Sequence, residues 1–316
     1  MLLQILILIC SLAAIVLGAD WLVDGASSIA RKVGISEFVI GLTIVGFGTS
    51  CPELVVSLNG AIMGNSDVSI GNVVGSNIFN TLLILGLTGV ISPIFISSEN
   101  KRRDIPLTIG VTLLLILYGM RHTLFGIGFD GISRLGGIVF LVIFAAYMFY
   151  CFKTDSGVDE GTDKVYGVPM SILLCVLGLA GLVVGGKFFV SSATSIASAM
   201  GISDKFIAIT ILAGGTSLPE LATCVVAAAK KKGQLALGNI LGSNIFNILL
   251  ILGCAAAVRP ISFSGMNMVD MGVMLLSVFM VLLACWIGKK NSIDRFDGSI
   301  MLLIELTYMS WLIYNI

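Results

Sequence analysis

Long apolar runs alternate with short polar connections along the whole chain. The runs fall near residues 2–27, 36–63, 68–95, 105–121, 134–152, 167–198, 203–229, 234–258, 267–288 and 297–314. About 20 apolar residues suffice for a helix to cross a bilayer core, so the pattern predicts ten transmembrane helices. The opening MLLQILILIC lacks the basic stretch of a signal peptide and reads as part of a retained first helix. The longest polar connection, Lys153 to Lys164, carries Asp155, Asp159, Glu160 and Asp163 and reads as a linker. It divides the chain into residues 1–152, a linker over 153–166, and residues 167–316.

The two long segments repeat each other. GTSCPE at 48–53 returns as GTSLPE at 215–220, and GNVVGSNIFN at 71–80 returns as GNILGSNIFN at 238–247, both at an offset of 167 residues. Pro93-Ile94 and Pro260-Ile261 keep that offset, as do Gly34-Ile35-Ser36 and Gly201-Ile202-Ser203. Chance similarity between apolar helices matches Leu, Ile and Val; it does not match Pro, Glu, Asn, Thr and Ser, so the chain is read as an internal duplication. Five helices is an odd number, so the second half must enter the membrane the opposite way up. The predicted fold is an all-α polytopic membrane protein of two inverted five-helix repeats with broken helices at the midplane, an architecture that places substrate at the repeat interface.

Composition agrees with a lipid environment. Hydrophobic residues make up 57% of the 316 positions and charged residues only 11%, against about 25% charged in a soluble domain. A net charge of zero argues against nucleic acid as a partner. The seven cysteines form no CxxC pair and read as small apolar side chains, and His122, beside Arg121, reads as a loop or interface residue. Thirteen of the eighteen basic residues fall in one set of alternate connections. Basic residues favour the cytoplasmic side, which predicts a cell membrane protein with both termini outside and the Lys230–Lys232 run in the cytoplasm.

Glu53 and Glu220 lie in the middle of apolar runs and match each other in the repeat. A carboxylate at the bilayer centre costs on the order of 3 kcal/mol or more, and neither repeat supplies a matched base. Pro52 and Pro219, with Gly48 and Gly215, disrupt the helix at these points. Broken helices at membrane depth are tolerated where they line a cavity. Thr49 shares a helix face with Glu53, and Thr216 with Glu220; Ser50 and Ser217 add hydroxyls, and Ser76 with Asn80 and Ser243 with Asn247 form a second pair of faces. The result is a cage of oxygens without thiolate or imidazole. Such a donor set selects hard cations, and two carboxylates in a flexible shell suit Ca2+ better than Mg2+. The same oxygens can hold Na+, and a site unable to hold both at once exchanges one for the other.

The doubled GTSxPE and GNxxGSNIFN motifs resemble the cation/Ca2+ exchanger superfamily, and within it the compact prokaryotic Na+/Ca2+ exchangers. The resemblance covers nearly the whole chain. It implies that Glu53 and Glu220 are the central Ca2+ ligands, assisted by Thr49 and Thr216. It implies a Na+ site lined by the Gly46 carbonyl, Thr49, Ser50 and Ser76, and a mirror site lined by the Ala213 carbonyl, Thr216, Ser217 and Ser243, with Asn80 and Asn247 at the centre. Some relatives carry Asp where this chain has Asn247, which leaves two obvious carboxylates instead of three and makes K+ co-transport less expected.

The function expected is secondary antiport of Ca2+ against Na+ by alternating access, with no cofactor and no enzymatic activity; H+/Ca2+ exchange on the same scaffold is the alternative. Nothing implies an oligomer. GLVVGGK at 181–187 is followed by Phe188 where a phosphate-binding loop requires Ser or Thr, so nucleotide is not expected. An intramembrane hydrolase built on Ser50 or Ser217 lacks a His or Lys base in either repeat. Asp20 and Lys187 occupy matching repeat positions and suggest a structural ion pair or interface anchors. Glu305 lies in the last apolar run without a matched acid.

Overall fold

The computed structural model describes residues 2–155, 157, 165–201, 213–286 and 291–315. Helices cover the predicted apolar runs wherever these are described. Six of them, Leu2–Val33, Ser66–Ile91, Arg134–Thr154, Val168–Ala199, Gly233–Val258 and Arg295–Tyr314, are each long and apolar enough to cross a membrane. Glu37–Thr49 and Cys51–Met63 add a seventh span if the pair, bent by 49°, is taken as one. The shorter helices Ile105–Gly119, Leu218–Ala229 and Met268–Ala284 occupy three more of the predicted runs. Part of the run predicted over 203–229 lies outside the described residues, as does most of the predicted linker.

Local chemistry sets the helix ends. Ser36, Ser133 and Asn267 each accept a backbone N–H of the following first turn, and Asp294 with Asp297 forms a reciprocal capping box. Gly64 closes Cys51–Met63 at φ 78°, a left-handed conformation that favours glycine. Two short antiparallel pairings tie the halves together: Ile94 opposite Ile293, and Ile132 opposite Ile261.

The helices fall into two kinds. Leu2–Val33 and Val168–Ala199 pack along each other at the periphery, and their most apolar windows are only 22% and 28% buried. Leu2, Leu6, Ile9, Leu173 and Val176 face outward, as lipid-facing positions do. By contrast, the windows of Ser66–Ile91 and Gly233–Val258 are 67% and 83% buried. These two carry the GNxxGSNIFN motifs, so the helix that bears this motif lies in the core in each repeat. The peripheral pair crosses at small residues: a Cβ on Gly18 would lie 2.7 Å from the Gly178 carbonyl oxygen, and one on Gly178 2.7 Å from that of Gly18. Small residues let helix backbones approach this closely in lipid, where burial of apolar surface drives nothing.

Asp20 forms its ion pair with Lys230 (2.7 Å), not with its repeat counterpart Lys187, and Asp24 joins at 2.6 Å. Lys230 therefore ties the end of Leu218–Ala229 to the first helix. The seven cysteines are free thiols, four of them buried. His122 sits in the short helix Arg121–Phe125, where its N–H donates to Asp130.

Candidate cation site

Each repeat breaks a helix at the same point in the same way. Ser50 (φ −83°, ψ 6°) precedes Cys51–Met63, and Ser217 (φ −87°, ψ 8°) precedes Leu218–Ala229, with Pro in the first turn of each. Proline there needs no N–H partner. Glu53 and Glu220 follow in the first turn of their helices, where the unsatisfied amides and the helix dipole favour an acid. The helices carrying the second motif widen into π-turns at Asn80–Leu85 and Phe246–Ile251, a distortion that concentrates at functional sites.

The broken helices meet reciprocally. Ser50 Oγ donates to Glu220 Oε1 at 3.0 Å, and Ser217 Oγ donates to Glu53 Oε1 at 3.3 Å. Each serine thus grips the acid of the other half, and the two contacts are exact repeat counterparts. A second reciprocal pair lies beside them: Asn247 Nδ2 donates to Asn77 Oδ1 at 2.9 Å, and Asn80 Nδ2 to Asn244 Oδ1 at 3.3 Å. Glu53 and Glu220 are each 1% exposed.

The remaining valences of this compartment are open. Glu53 Oε2, Glu220 Oε2, Asn80 Oδ1, Asn247 Oδ1, Thr216 Oγ1 and Ser243 Oγ are all buried without a hydrogen-bond partner. Thr216 lies close to Glu53, and Ser243 close to Glu220, near enough to interact but without the geometry of a full hydrogen bond. A buried polar atom without a partner costs on the order of 1–3 kcal/mol, more when charged. Six of them in one compartment, all oxygen, make a donor set that a hard cation satisfies. Among the described residues no group of three or more His, Cys, Asp or Glu could hold a metal; this cage has two acids, and its other donors are amides and hydroxyls.

The other predicted residues divide. Thr49 is fully buried and donates to Asn239 Oδ1 at 3.1 Å and to the Val45 carbonyl at 3.0 Å. The Gly46 carbonyl already accepts from Ser50 N–H at 3.1 Å and keeps one lone pair for another partner. Ser76 is buried at 4% exposure. Ala213 begins the short helix Ala213–Gly215 that leads to the second break.

Four residues escaped selection in the sequence. Asn77 and Asn244 consume the amide N–H groups of Asn247 and Asn80, which leaves each Oδ1 open. Asn72 donates to the Glu53 carbonyl at 3.1 Å and to Ser57 Oγ at 3.0 Å, while Asn239 donates to Cys224 Sγ at 3.2 Å. The signal was available: both asparagine pairs match at the repeat offset.

Access is unequal. A cavity of about 1450 Å3 reaches Ser76 and Thr216 and runs outward past Phe79, Glu305 and Tyr308 to Leu312. Its counterpart, about 840 Å3, is lined by Phe47, Gly48 and Phe246 and reaches none of the predicted ligands. There Phe246 packs on Phe47 (centroids 5.8 Å apart) and edge-on to Phe144 (4.8 Å), and Ser243 and Thr49 behind them are 0% exposed.

Paired acids gripped across two repeated breaks, in a helical membrane protein, define an ion exchanger: a transporter and not an enzyme. The chain belongs to the sodium/calcium exchanger protein family, whose model matches residues 3–153 and again residues 170–314. It is 32% identical to the sodium/calcium exchanger MaX1 of Methanosarcina acetivorans, with 98% of each chain covered. It is 35% identical to the inner membrane protein YrbG of Escherichia coli over 90% of each. Its fold superposes on the sodium-calcium exchanger NCX_Mj with a TM-score of 0.85 at 33% identity, covering 98% of both chains.

Proposed function

We propose that the protein is a secondary antiporter that exchanges Ca2+ for Na+ by alternating access. Glu53 and Glu220 hold Ca2+ between the halves, with Thr49 and Thr216 completing its shell. Na+ occupies flanking positions built from the Gly46 carbonyl, Thr49, Ser50 and Ser76 on one side, and the Ala213 carbonyl, Thr216, Ser217 and Ser243 on the other. Asn80 and Asn247 supply neutral oxygens at the centre. The observation that carries this reading is the reciprocal Ser50–Glu220 and Ser217–Glu53 grip around six unpartnered buried oxygens. Oxygen ligands of mixed charge suit both ions. Because the Ca2+ and Na+ positions share Thr49 and Thr216 and lie in one compartment, entry of one releases the other.

The architecture in this proposal is ten crossings in two inverted halves, residues 1–152 and 167–316 joined by a cytoplasmic linker at 153–166. Reciprocal contacts between counterpart residues, and a family model that matches twice, support it. With both termini outside, the larger cavity faces outward and the aromatic contacts close the inner route.

Exchange of Ca2+ for H+ is the competing reading, since buried glutamates can carry protons. The hydroxyls of Thr49, Ser50, Thr216 and Ser217 beside the acids favour Na+, because a proton needs no oxygen cage. Ca2+ uptake into proteoliposomes separates the two. Uptake is expected with Na+ inside at equal pH on both sides, and none with only a pH gradient. Uptake driven by the pH gradient in the absence of Na+ would overturn the choice of Na+.

A further inference from the structure

The two halves keep one contact outside the ion site and break another beside it. Tyr147 Oη donates to Asp104 Oδ1 at 3.1 Å, and Tyr308 Oη donates to Asp270 Oδ1 at 2.8 Å. Each tyrosine is followed by Met, at 148 and 309, so this pair fixes the register between the last helices of the halves. In that register Phe144 is the counterpart of Glu305. Phe144 packs edge-on against Phe246, whose own counterpart, Phe79, lines the larger cavity together with Glu305. Phe47, the third ring, has Gly214 as its counterpart. Where the cluster beside the smaller cavity has three aromatic rings, the larger cavity has a glycine, one ring and a carboxylate.

Glu305 is 2% exposed, and its Oε2 has no hydrogen-bond partner. Among the described residues it forms no ion pair; Lys187 lines the same cavity but is not within ion-pair distance. Tyr308, one turn further along the same helix, and Asp270, which accepts from its hydroxyl, line the same cavity. A buried carboxylate facing a cavity inside a membrane marks an ion pathway by default. Here the cavity is the one that reaches Ser76 and Thr216.

We propose that Glu305, assisted by Asp270, is a second cation-binding residue, a staging site that holds a partly hydrated hard cation in the open cavity before it enters the central cage. The proposal rests on the exchange reading above. A carboxylate in a low-dielectric cleft concentrates cations locally. It does so here on one face only, because the other half carries Phe144 in its place.

The test uses the full chain and has two arms. Ca2+ uptake is measured separately in right-side-out and inside-out membrane vesicles for the parent, Glu305→Gln and Glu305→Asp. Glu305→Gln is expected to raise the apparent KM for Ca2+ about tenfold at one face, with the other face and the maximal rate unchanged, and Glu305→Asp to restore most of the affinity. An unchanged KM, or an equal change at both faces, would overturn the staging site. In the second arm, Ca2+ binding to the purified Glu53→Gln/Glu220→Gln protein is measured by equilibrium dialysis. A weak residual site lost on adding Glu305→Gln is expected; no residual site, or one that survives, would overturn the proposal. Failure of the central reading shows up separately, as exchange that persists in the Glu53→Gln/Glu220→Gln protein whatever Glu305 does.

Discussion

The central compartment and the two cavities that approach it obey different rules. In the compartment, counterpart residues make counterpart contacts: serine to the opposite glutamate, asparagine to the opposite asparagine. In the cavities, counterparts diverge, with Phe47, Phe144 and Phe246 against Gly214, Glu305 and Phe79. A shared site can be close to two-fold where both halves would face the same ion. The routes to it cannot be in the same state at once if transport is to be coupled, and here they also differ in chemistry. Matched residues build the compartment, and unmatched ones distinguish the two approaches to it.

The largest expected effects test the symmetric part. Glu53→Gln and Glu220→Gln should each abolish Ca2+ transport, because Ca2+ loses a charged ligand where dielectric screening is weak. Near-normal exchange by either variant in a Ca2+ flux assay would remove the two-carboxylate cage. A smaller loss is expected at the asparagines that hold other asparagines. Asn77→Ala and Asn244→Ala each free a ligating amide to rotate, and each should weaken apparent Ca2+ affinity by about tenfold, the equivalent of one buried hydrogen bond. Each asparagine also donates onward, Asn77 to the Asn244 carbonyl at 3.2 Å and Asn244 to Thr81 at 2.7 Å, so the two variants should lose affinity to a similar extent. Equal, unperturbed affinities would mean that these amides do not orient ligands.

The gates give effects of lower size. Phe144→Ala removes an edge-on ring contact worth about 1 kcal/mol, so a Ser243→Cys reporter behind it should react with a small thiol reagent a few times faster from that face. No change in labelling rate would mean that the aromatic cluster does not close the route. The smallest effect concerns Asn247→Asp. Exchange should persist but depend more on pH than in the parent, since a third ionisable group joins Glu53 and Glu220 and the three titrate as a coupled set. Superimposable pH profiles would place position 247 outside the ion site.

Much of this is written in the sequence. The repeated Pro-Glu steps located both helix breaks, because matched Pro and Glu inside apolar runs have no packing explanation. Ten of the twelve candidate ligands lie in the same two motifs, Gly46 and Ala213 being implied by the family resemblance, and the ten supply all six of the compartment's unpartnered oxygens. Three things were not legible. Hydrogen-bond partners across the interface depend on which faces of the helices meet, so Asn77 and Asn244 read only as motif letters. Ion-pair choice depends on tertiary proximity: Asp20 and Lys187 match in sequence, yet Lys230 is what reaches Asp20. The contrast between Phe144 and Glu305 was hidden because the last helices depart from the constant offset, and only the paired Tyr–Asp contacts restore their register.

The central claim is that one oxygen cage serves both ions in turn. Its most direct measurement is Ca2+ binding to the purified protein at equilibrium, titrated with Na+ at fixed pH and ionic strength, choline replacing Na+. Tightly bound Ca2+ should be displaced as Na+ rises, and Glu53→Gln and Glu220→Gln should each eliminate the tight binding. Tight Ca2+ binding that is indifferent to Na+, or that survives loss of either glutamate, would contradict it.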